Sequence, residues 1–316
     1  MRPALRPGPG VAGTSITALA TAVAVAALLL GFALAALADL RRREVSDRLW
    51  QAMGAVGLVT GAVLVSPGGW VPIVLWLLVA GLTLEHLAGW DLWFGARWEA
   101  RADLVELAAY VGVIAVVAIA AARTGIGASG VPWIVVAVLA TIVLARGLFE
   151  FKVLYGAADA KALMIAALLV PVFPVPWLYA PSTAAATLAY VPFAISLLTN
   201  AALFSIVVPI ALAVRNARRG EFSVPEGFMG YWLAVRELPR RFVWVKDPAV
   251  PATGEEDADT TEEDDRRRAE LARSLRARGI DRVWVTPQVP LVAVMAVGAL
   301  AALLAGNLLL DLMLRV

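Results

Sequence analysis

The stretch "SITALATAVAVAALLLGFALAALADLRRR", residues 15–43, decides the fold class. Residues 15–38 carry no charge, and a run of this length crosses about 30 Å of hydrocarbon as an α-helix. Asp39 closes the run, and three arginines follow at 41–43. A carboxylate at the edge of a membrane helix costs free energy unless a partner or water offsets it. The stretch therefore predicts a membrane helix and a partner for Asp39 elsewhere in the chain.

The composition indicates an integral membrane protein. Of the 316 residues, 61% are hydrophobic and only 16% are charged, whereas soluble domains carry about 25% charged residues. The chain has no cysteine and a single histidine, His86, so a disulfide framework, a CxxC zinc site and an HExxH site are excluded. We expect no metal and no cofactor, and we place His86 at a tryptophan-rich interface rather than in catalysis. A formal net charge of +2 without a basic footprint predicts no nucleic-acid partner.

Apolar periodicity predicts an all-α polytopic membrane protein with about eight transmembrane helices and a small cytosolic α/β element before the last helix. The expected spans are residues 15–38, 50–66, 70–88, 103–121, 131–149, 160–178, 186–214 and 288–312. The corresponding domains are a membrane domain over 1–214, a cytosolic element over 215–287 and a final transmembrane segment over 288–316. Within the element, 241–247 and 281–287 alternate like strands, and 264–279 has helical spacing with a terminal glycine.

The positive-inside rule orients this multi-pass cell-membrane protein. With the N-terminus outside, the inner loops hold 23 of the Lys and Arg residues and the outer segments hold four. Both termini are then outside, and residues 215–287 are cytosolic.

A second aspartate mirrors Asp39 at the start of the sixth apolar segment. Four expected spans separate Asp159 from Asp39, so both carboxylates lie at the inner membrane boundary. The preceding small residues, Gly156, Ala157 and Ala158, allow another helix to approach closely. Two carboxylates that share a site do not both ionise easily, so one keeps a proton. The ionised one can activate water while the protonated one donates to a scissile carbonyl, and either aspartate can serve as the base.

These motifs resemble the type IV prepilin peptidases, in particular the archaeal preflagellin peptidases. Asp39 followed by Val45-Ser46-Asp47 is similar to their first aspartate motif, and "GAAD" at 156–159 is similar to their second, GxGD. Further similarity lies in "ADAKALM", "GFMGYW" and "VWVTPQVP". The resemblance covers residues 15–66 and 146–312, and implies a membrane aspartic endopeptidase with Asp39 and Asp159 as its catalytic pair.

The resemblance also implies the partners. Such enzymes act in type IV pilus or archaellum assembly, and remove a short basic leader that precedes the apolar helix of a prepilin or preflagellin. The chain departs from the family pattern in two places: Ala158 stands where the motif has glycine, and residues 89–145 form an extra helical hairpin.

Three other acidic residues are candidates for binding the basic leader, because they lie near the expected inner boundary: Glu44, Asp47 and Glu150. Two alternatives stay open. One is a presenilin-like intramembrane protease, which also pairs a membrane aspartate with GxGD. The other is a proton- or cation-coupled transporter, which would need acidic groups near the midplane and broken helices.

Overall fold

The computed structural model describes residues 9–88, 99–124, 131–154, 156–173, 191–246 and 261–315. Within these ranges the α-helices are α1 Pro9–Arg42, α2 Asp47–Val65, α3 Trp70–Ala88, α4 Glu99–Thr124, α5 Val131–Glu150, α6 Ala157–Leu169, α7 Phe193–Ser205, α8 Val207–Arg218, α9 Thr261–Ala277, α10 Leu291–Ala305 and α11 Leu308–Arg315. The strands are β1 Tyr231–Ala234, β2 Val243–Val245 and β3 Arg282–Pro287. The side chain of His86 lies outside the described part, as do residues 174–178 and 186–190 of the expected sixth and seventh spans.

The chain forms two compact units. The first comprises Met1–Asp39, Val45–Ala201 and Val292–Val316, and the second comprises Leu40–Glu44 and Ala202–Leu291. The first therefore holds α1 up to Asp39, α2 to α6, α7 up to Ala201, α10 from Val292 and α11, and the second holds the sheet with α8 and α9.

Helix α6 is the central element of the first unit. Its residues from Ala160 onward are buried except for Lys161, which is half-exposed, so the helix is surrounded by other helices on every side. It packs against α2, α3 and α5. Helix α1 contacts α2 through an edge-to-face pair of Phe32 and Trp50, whose ring centroids lie 6.2 Å apart. Helix α2 thus contacts both of the helices that carry the predicted catalytic aspartates.

Within the described part of the chain, four helical stretches are long and apolar enough to cross a membrane. They are Ser15–Arg42, Asp47–Gly68, Pro132–Glu150 and Phe193–Arg218, and the bent pair Leu291–Ala305 with Leu308–Leu314 makes a fifth if it counts as one span. The structure is thus that of an α-helical membrane protein, but eight spans are not confirmed. Helix α6 illustrates the reason, because its 13 residues reach only about 20 Å at 1.5 Å per residue.

The last apolar segment is broken, whereas the sequence predicted one continuous span. Helices α10 and α11 meet at an angle of 48°, and Gly306 at the break has a φ of +77° that favours glycine. The fully buried Asn200 of α7 holds the break by donating to the Gly306 carbonyl at 2.9 Å and accepting from the Leu308 amide at 3.0 Å. Asn307 extends this polar cluster by donating to the Ser196 hydroxyl at 3.2 Å.

The second unit contains a three-stranded antiparallel sheet in the order β1-β3-β2. Val283 and Val285 of β3 form its core with the buried face of α9, which includes Ala272 and Leu275. The expected small α/β element is therefore present: β2 and β3 lie inside the predicted stretches, and α9 overlaps its predicted stretch but begins three residues earlier. Strand β1 was missed, because its four residues carry too short an alternation to stand out.

Replacing Asn200 with leucine is expected to lower the free energy of unfolding by about 1–3 kcal/mol. The change strips the Gly306 carbonyl and the Leu308 amide of their partner, and buried backbone groups without partners cost about that much. Membrane hydrogen bonds between side chains average only about 0.6 kcal/mol, but backbone groups at a buried helix break have no water as an alternative. Reversible unfolding in detergent or bicelles measures the loss.

The matched control is Thr199→Val, at the neighbouring position. The Thr199 hydroxyl donates only within its own helix, to the Ser196 carbonyl at 3.1 Å. A loss for Asn200→Leu no larger than for Thr199→Val would contradict the assigned role of Asn200.

Candidate active site

Asp39 lies on the packed face of α1. Buried residues recur at helical spacing along this face and lead to the aspartate: Ala20, Ala24, Leu28, Phe32 and Ala35. Asp39 continues the same face and is only 8% exposed. Of the three arginines that follow, Arg41 and Arg42 are exposed, whereas Arg43 is half-buried and its guanidinium lies over the Phe242 ring. The helix therefore turns the Asp39 carboxylate toward the bundle and the first two positive charges toward the surroundings.

The Asp39 carboxylate meets the start of the broken final helix. Its Oδ2 accepts a hydrogen bond from the Ala293 amide at 3.3 Å, and Ala293 lies in the first turn of α10. First-turn amides have no partner within their own helix, and the helix dipole adds partial positive charge at that end. This partner was missed by the sequence analysis, because a backbone donor is not marked by any residue type.

Asp159 occupies the first turn of α6, and its side chain folds back over Gly156. Gly156 is the N-cap residue in an extended conformation, and its backbone forms a hydrogen bond with the Asp159 carboxylate. A Cβ added at Gly156 would lie 2.8 Å from Asp159 Oδ2, closer than real Cβ contacts allow. Glycine at this position thus leaves room for the carboxylate to reach back to the helix start.

The pKa of Asp159, which lies ahead of the apolar segment 160–178, is raised to about 7. The largest cause is burial, which disfavours the charged form, and the second is the negative charge of Asp39. The hydrogen bond from the Gly156 backbone acts in the opposite direction. The two carboxylates therefore interact electrostatically, although 120 residues separate them in the chain.

The expected packing role of the small residues needs correction. The atoms nearest to a side chain added at Gly156 belong to Asp159, not to another helix. Ala157 is exposed and Ala158 is half-exposed, so the close packing of α6 begins at Ala160. The motif thus shapes the helix start around Asp159.

Two of the three acidic residues predicted to bind a leader have basic partners within the first unit. Asp47 at the start of α2 accepts from the Lys161 ammonium of α6 at 2.5 Å. Glu150 pairs with Arg146 one turn earlier in α5, at 2.7 Å. Glu44 is exposed and belongs to the second unit. The Asp47–Lys161 pair holds the starts of α2 and α6 together, two residues beyond Asp159.

The described part of the chain contains no group of three or more His, Cys, Asp or Glu side chains placed to hold a metal ion. What its residues do bring together is a pair of interacting carboxylates at helix ends. Comparison of the chain with protein-family models, with curated proteins and with solved structures gives no match.

Proposed function

We propose that the chain is a membrane aspartic endopeptidase that removes the basic leader of prepilin-like or preflagellin substrates at the cytosolic face. The observation that carries the proposal is the interaction of the two carboxylates: Asp159 has a pKa of about 7, raised by burial and then by the charge of Asp39. Groups with strongly perturbed pKa values concentrate at catalytic sites.

The proposed reaction needs one proton shared by the pair. We assign this proton to Asp159, whose pKa is raised to about 7, and the role of base to Asp39, whose carboxylate accepts a hydrogen bond from the Ala293 amide. Asp39 removes a proton from water as the oxygen attacks the scissile carbonyl carbon, and Asp159 donates its proton to the carbonyl oxygen. Collapse of the tetrahedral intermediate breaks the C–N bond: the proton on Asp39 passes to the leaving amine, and Asp159 takes back a proton from a hydroxyl of the intermediate, which restores the starting pair.

The substrate class follows from the resemblance of the motifs and from charge. A leader rich in Lys and Arg is attracted to acidic side chains near the dyad. Asp47 and Glu150 are the exposed candidates within the first unit, and a leader arginine would compete with Lys161 for Asp47. The apolar helix behind the leader would stay in the bilayer, with the dyad at the inner boundary and both termini of the enzyme outside.

One observation favours the second candidate function, a proton- or cation-coupled transporter. Transporters build binding sites at discontinuous helices, and α10 and α11 form such a break, contrary to the expectation from sequence. However, the polar groups at this break bond to one another through Asn200, Asn307 and Ser196. The transporter would use the same two aspartates, and these lie at the starts of α10 and α6 rather than at this break. The peptidase proposal therefore ranks first.

Asp39→Asn and Asp159→Asn are each expected to reduce leader removal by about 10³-fold or more, because residues of one catalytic unit fail together. Reconstituted protein is incubated with a prepilin or preflagellin, and mass spectrometry follows the leader. Asp281→Asn, an exposed carboxylate of the second unit, is the control and should retain full activity. Wild-type cleavage by either dyad variant would overturn the proposal.

Leader removal is expected to fall as the pH rises through about 7. Because the pKa of Asp159 is raised from 3.8 to about 7, its carboxyl keeps a proton up to about pH 7. The proton needed for donation is therefore present below about pH 7 and lost above it. Initial rates between about pH 5 and about pH 9 measure the effect. A rate that rises across this range would contradict Asp159 as the donor.

The control for this assignment does not depend on activity. Asp39→Asn removes one of the two causes that raise the pKa of Asp159 and leaves burial in place, so that pKa should decrease but stay above 3.8. Carbon-13 NMR of labelled aspartate carboxyls follows the titration, with Asp159→Asn assigning the signal. An unchanged Asp159 titration would show that the carboxylates do not interact.

Gly156→Ala is expected to reduce leader removal strongly, whereas Ala158→Gly should not. The added methyl group would lie 2.8 Å from Asp159 Oδ2 and displace the carboxylate from the backbone of Gly156. Ala158→Gly restores the family's motif at a half-exposed position and tests whether any change of a small residue is harmful. Equal activities of the two variants would contradict the role assigned to Gly156.

A further inference from the structure

The second unit carries an ordered loop with exposed apolar side chains directly after α8. Residues 220–230 connect α8 to β1, and four large apolar side chains of this loop are exposed: Phe222, Val224, Phe228 and Met229. Val224 is 74% exposed and Met229 60%. Such a cluster is costly in water and indicates a surface that something apolar covers.

Hydrogen bonds and a ring contact fix the conformation of the loop, so the exposure of its apolar side chains is a property of the folded loop. Asn216, fully buried near the end of α8, donates to the carbonyls of Gly227 and Gly230 at 2.8 and 2.7 Å. Phe222 and Phe228 pack edge to face with ring centroids 5.3 Å apart. Backbone hydrogen bonds from Gly227 to Ser223 and from Met229 to Glu226 close the turn.

Helix α8, which precedes the loop, also carries exposed apolar side chains. Val207, Ile210 and Val214 are exposed along that helix, which is the last part of the candidate membrane span Phe193–Arg218. A membrane span ends at the headgroups, and the loop begins two residues after Arg218. The loop therefore starts at the depth where apolar side chains can enter the acyl boundary.

The charged side chains around the loop are also consistent with a position at the headgroup level of the membrane. Arg218 and Arg219 are exposed at its start, where their head groups can reach the phosphates while their stems cover apolar surface. Glu226 is the one acidic side chain within residues 222–229, and the Ser223 hydroxyl donates to it at 3.1 Å.

From this arrangement we infer that residues 222–229 form an interfacial anchor, which inserts Phe222, Val224, Phe228 and Met229 into the lipid bilayer surface. The occupant of the apolar face is lipid, rather than a second copy of the chain or a soluble partner. The anchor would fix the second unit to the membrane independently of any peptidase activity.

The test uses the absence of cysteine in the chain. Single cysteines at Val224→Cys and Met229→Cys are labelled with the fluorophore NBD in nanodiscs, with Ser274→Cys on an exposed position of α9 as the matched control. At 224 and 229 we expect emission at shorter wavelength, quenching by lipids with a nitroxide on the acyl chain, and little quenching by iodide. At 274 we expect emission at longer wavelength, little quenching by the nitroxide lipids and strong quenching by iodide.

Because NBD is itself apolar, the unlabelled thiols provide the second measurement. A membrane-impermeant charged maleimide should react more slowly at 224 and 229 than at 274. The inference would be overturned if iodide quenching and the maleimide reaction were as strong at 224 as at 274. It would also be overturned if position 224 were shielded from both iodide and nitroxide lipids, because that result would indicate a covering protein.

Discussion

A carboxylate buried at the end of an apolar helix must find a hydrogen-bond donor, and the arrangement of the first unit depends on how Asp39 finds one. An ionised aspartate at mid-bilayer costs about 2.5–3.5 kcal/mol on insertion scales, and less toward the edge. Asp39 is nearly buried, and its carboxylate receives the amide of Ala293, 254 residues away in the chain. This bond ties the end of α1 to the start of α10. A helix that began elsewhere would leave both the carboxylate and this first-turn amide without each other as partners.

Asp159 solves the same problem locally. Its carboxylate folds back to the backbone of Gly156 at the start of its own helix. It is half-exposed, yet burial is still the largest cause of its raised pKa. In this pair, the Asp39 carboxylate is held by a distant helix, α10, whereas the Asp159 carboxylate is held by the start of its own helix. This difference makes it possible for two chemically identical side chains to hold different protonation states, which general acid–base catalysis requires.

Much of this arrangement follows from local sequence patterns, and the remainder depends on contacts between distant residues. Residues 15–43 predict both α1 and the need of Asp39 for a distant partner, since an uncharged run and a carboxylate at its edge are local features of the sequence. The same holds for β2, β3 and α9. The break after α10 needs Asn200, 106 residues earlier than Gly306, although Gly306-Asn307 within an apolar run is a signal that sequence analysis could have used. No residue type in the sequence marks the Ala293 amide as the partner of Asp39. Likewise, no local pattern indicates that the atoms nearest to Gly156 belong to Asp159.

Asp39, Asp159 and Asn200 share one property: each meets backbone at a helix end or break. Asp39 bonds to the first turn of α10, Asp159 to the start of α6, and Asn200 to the break between α10 and α11. In an apolar bundle these are the places where backbone donors and acceptors lack helical partners. Water also reaches helix ends at the boundary more easily than the middle of a span. A hydrolytic reaction needs water at the carboxylates, whereas transport needs a polar path through the midplane. Carboxylates gathered at helix ends therefore favour hydrolysis, while the closed hydrogen bonding around Asn200 favours a structural role for the break.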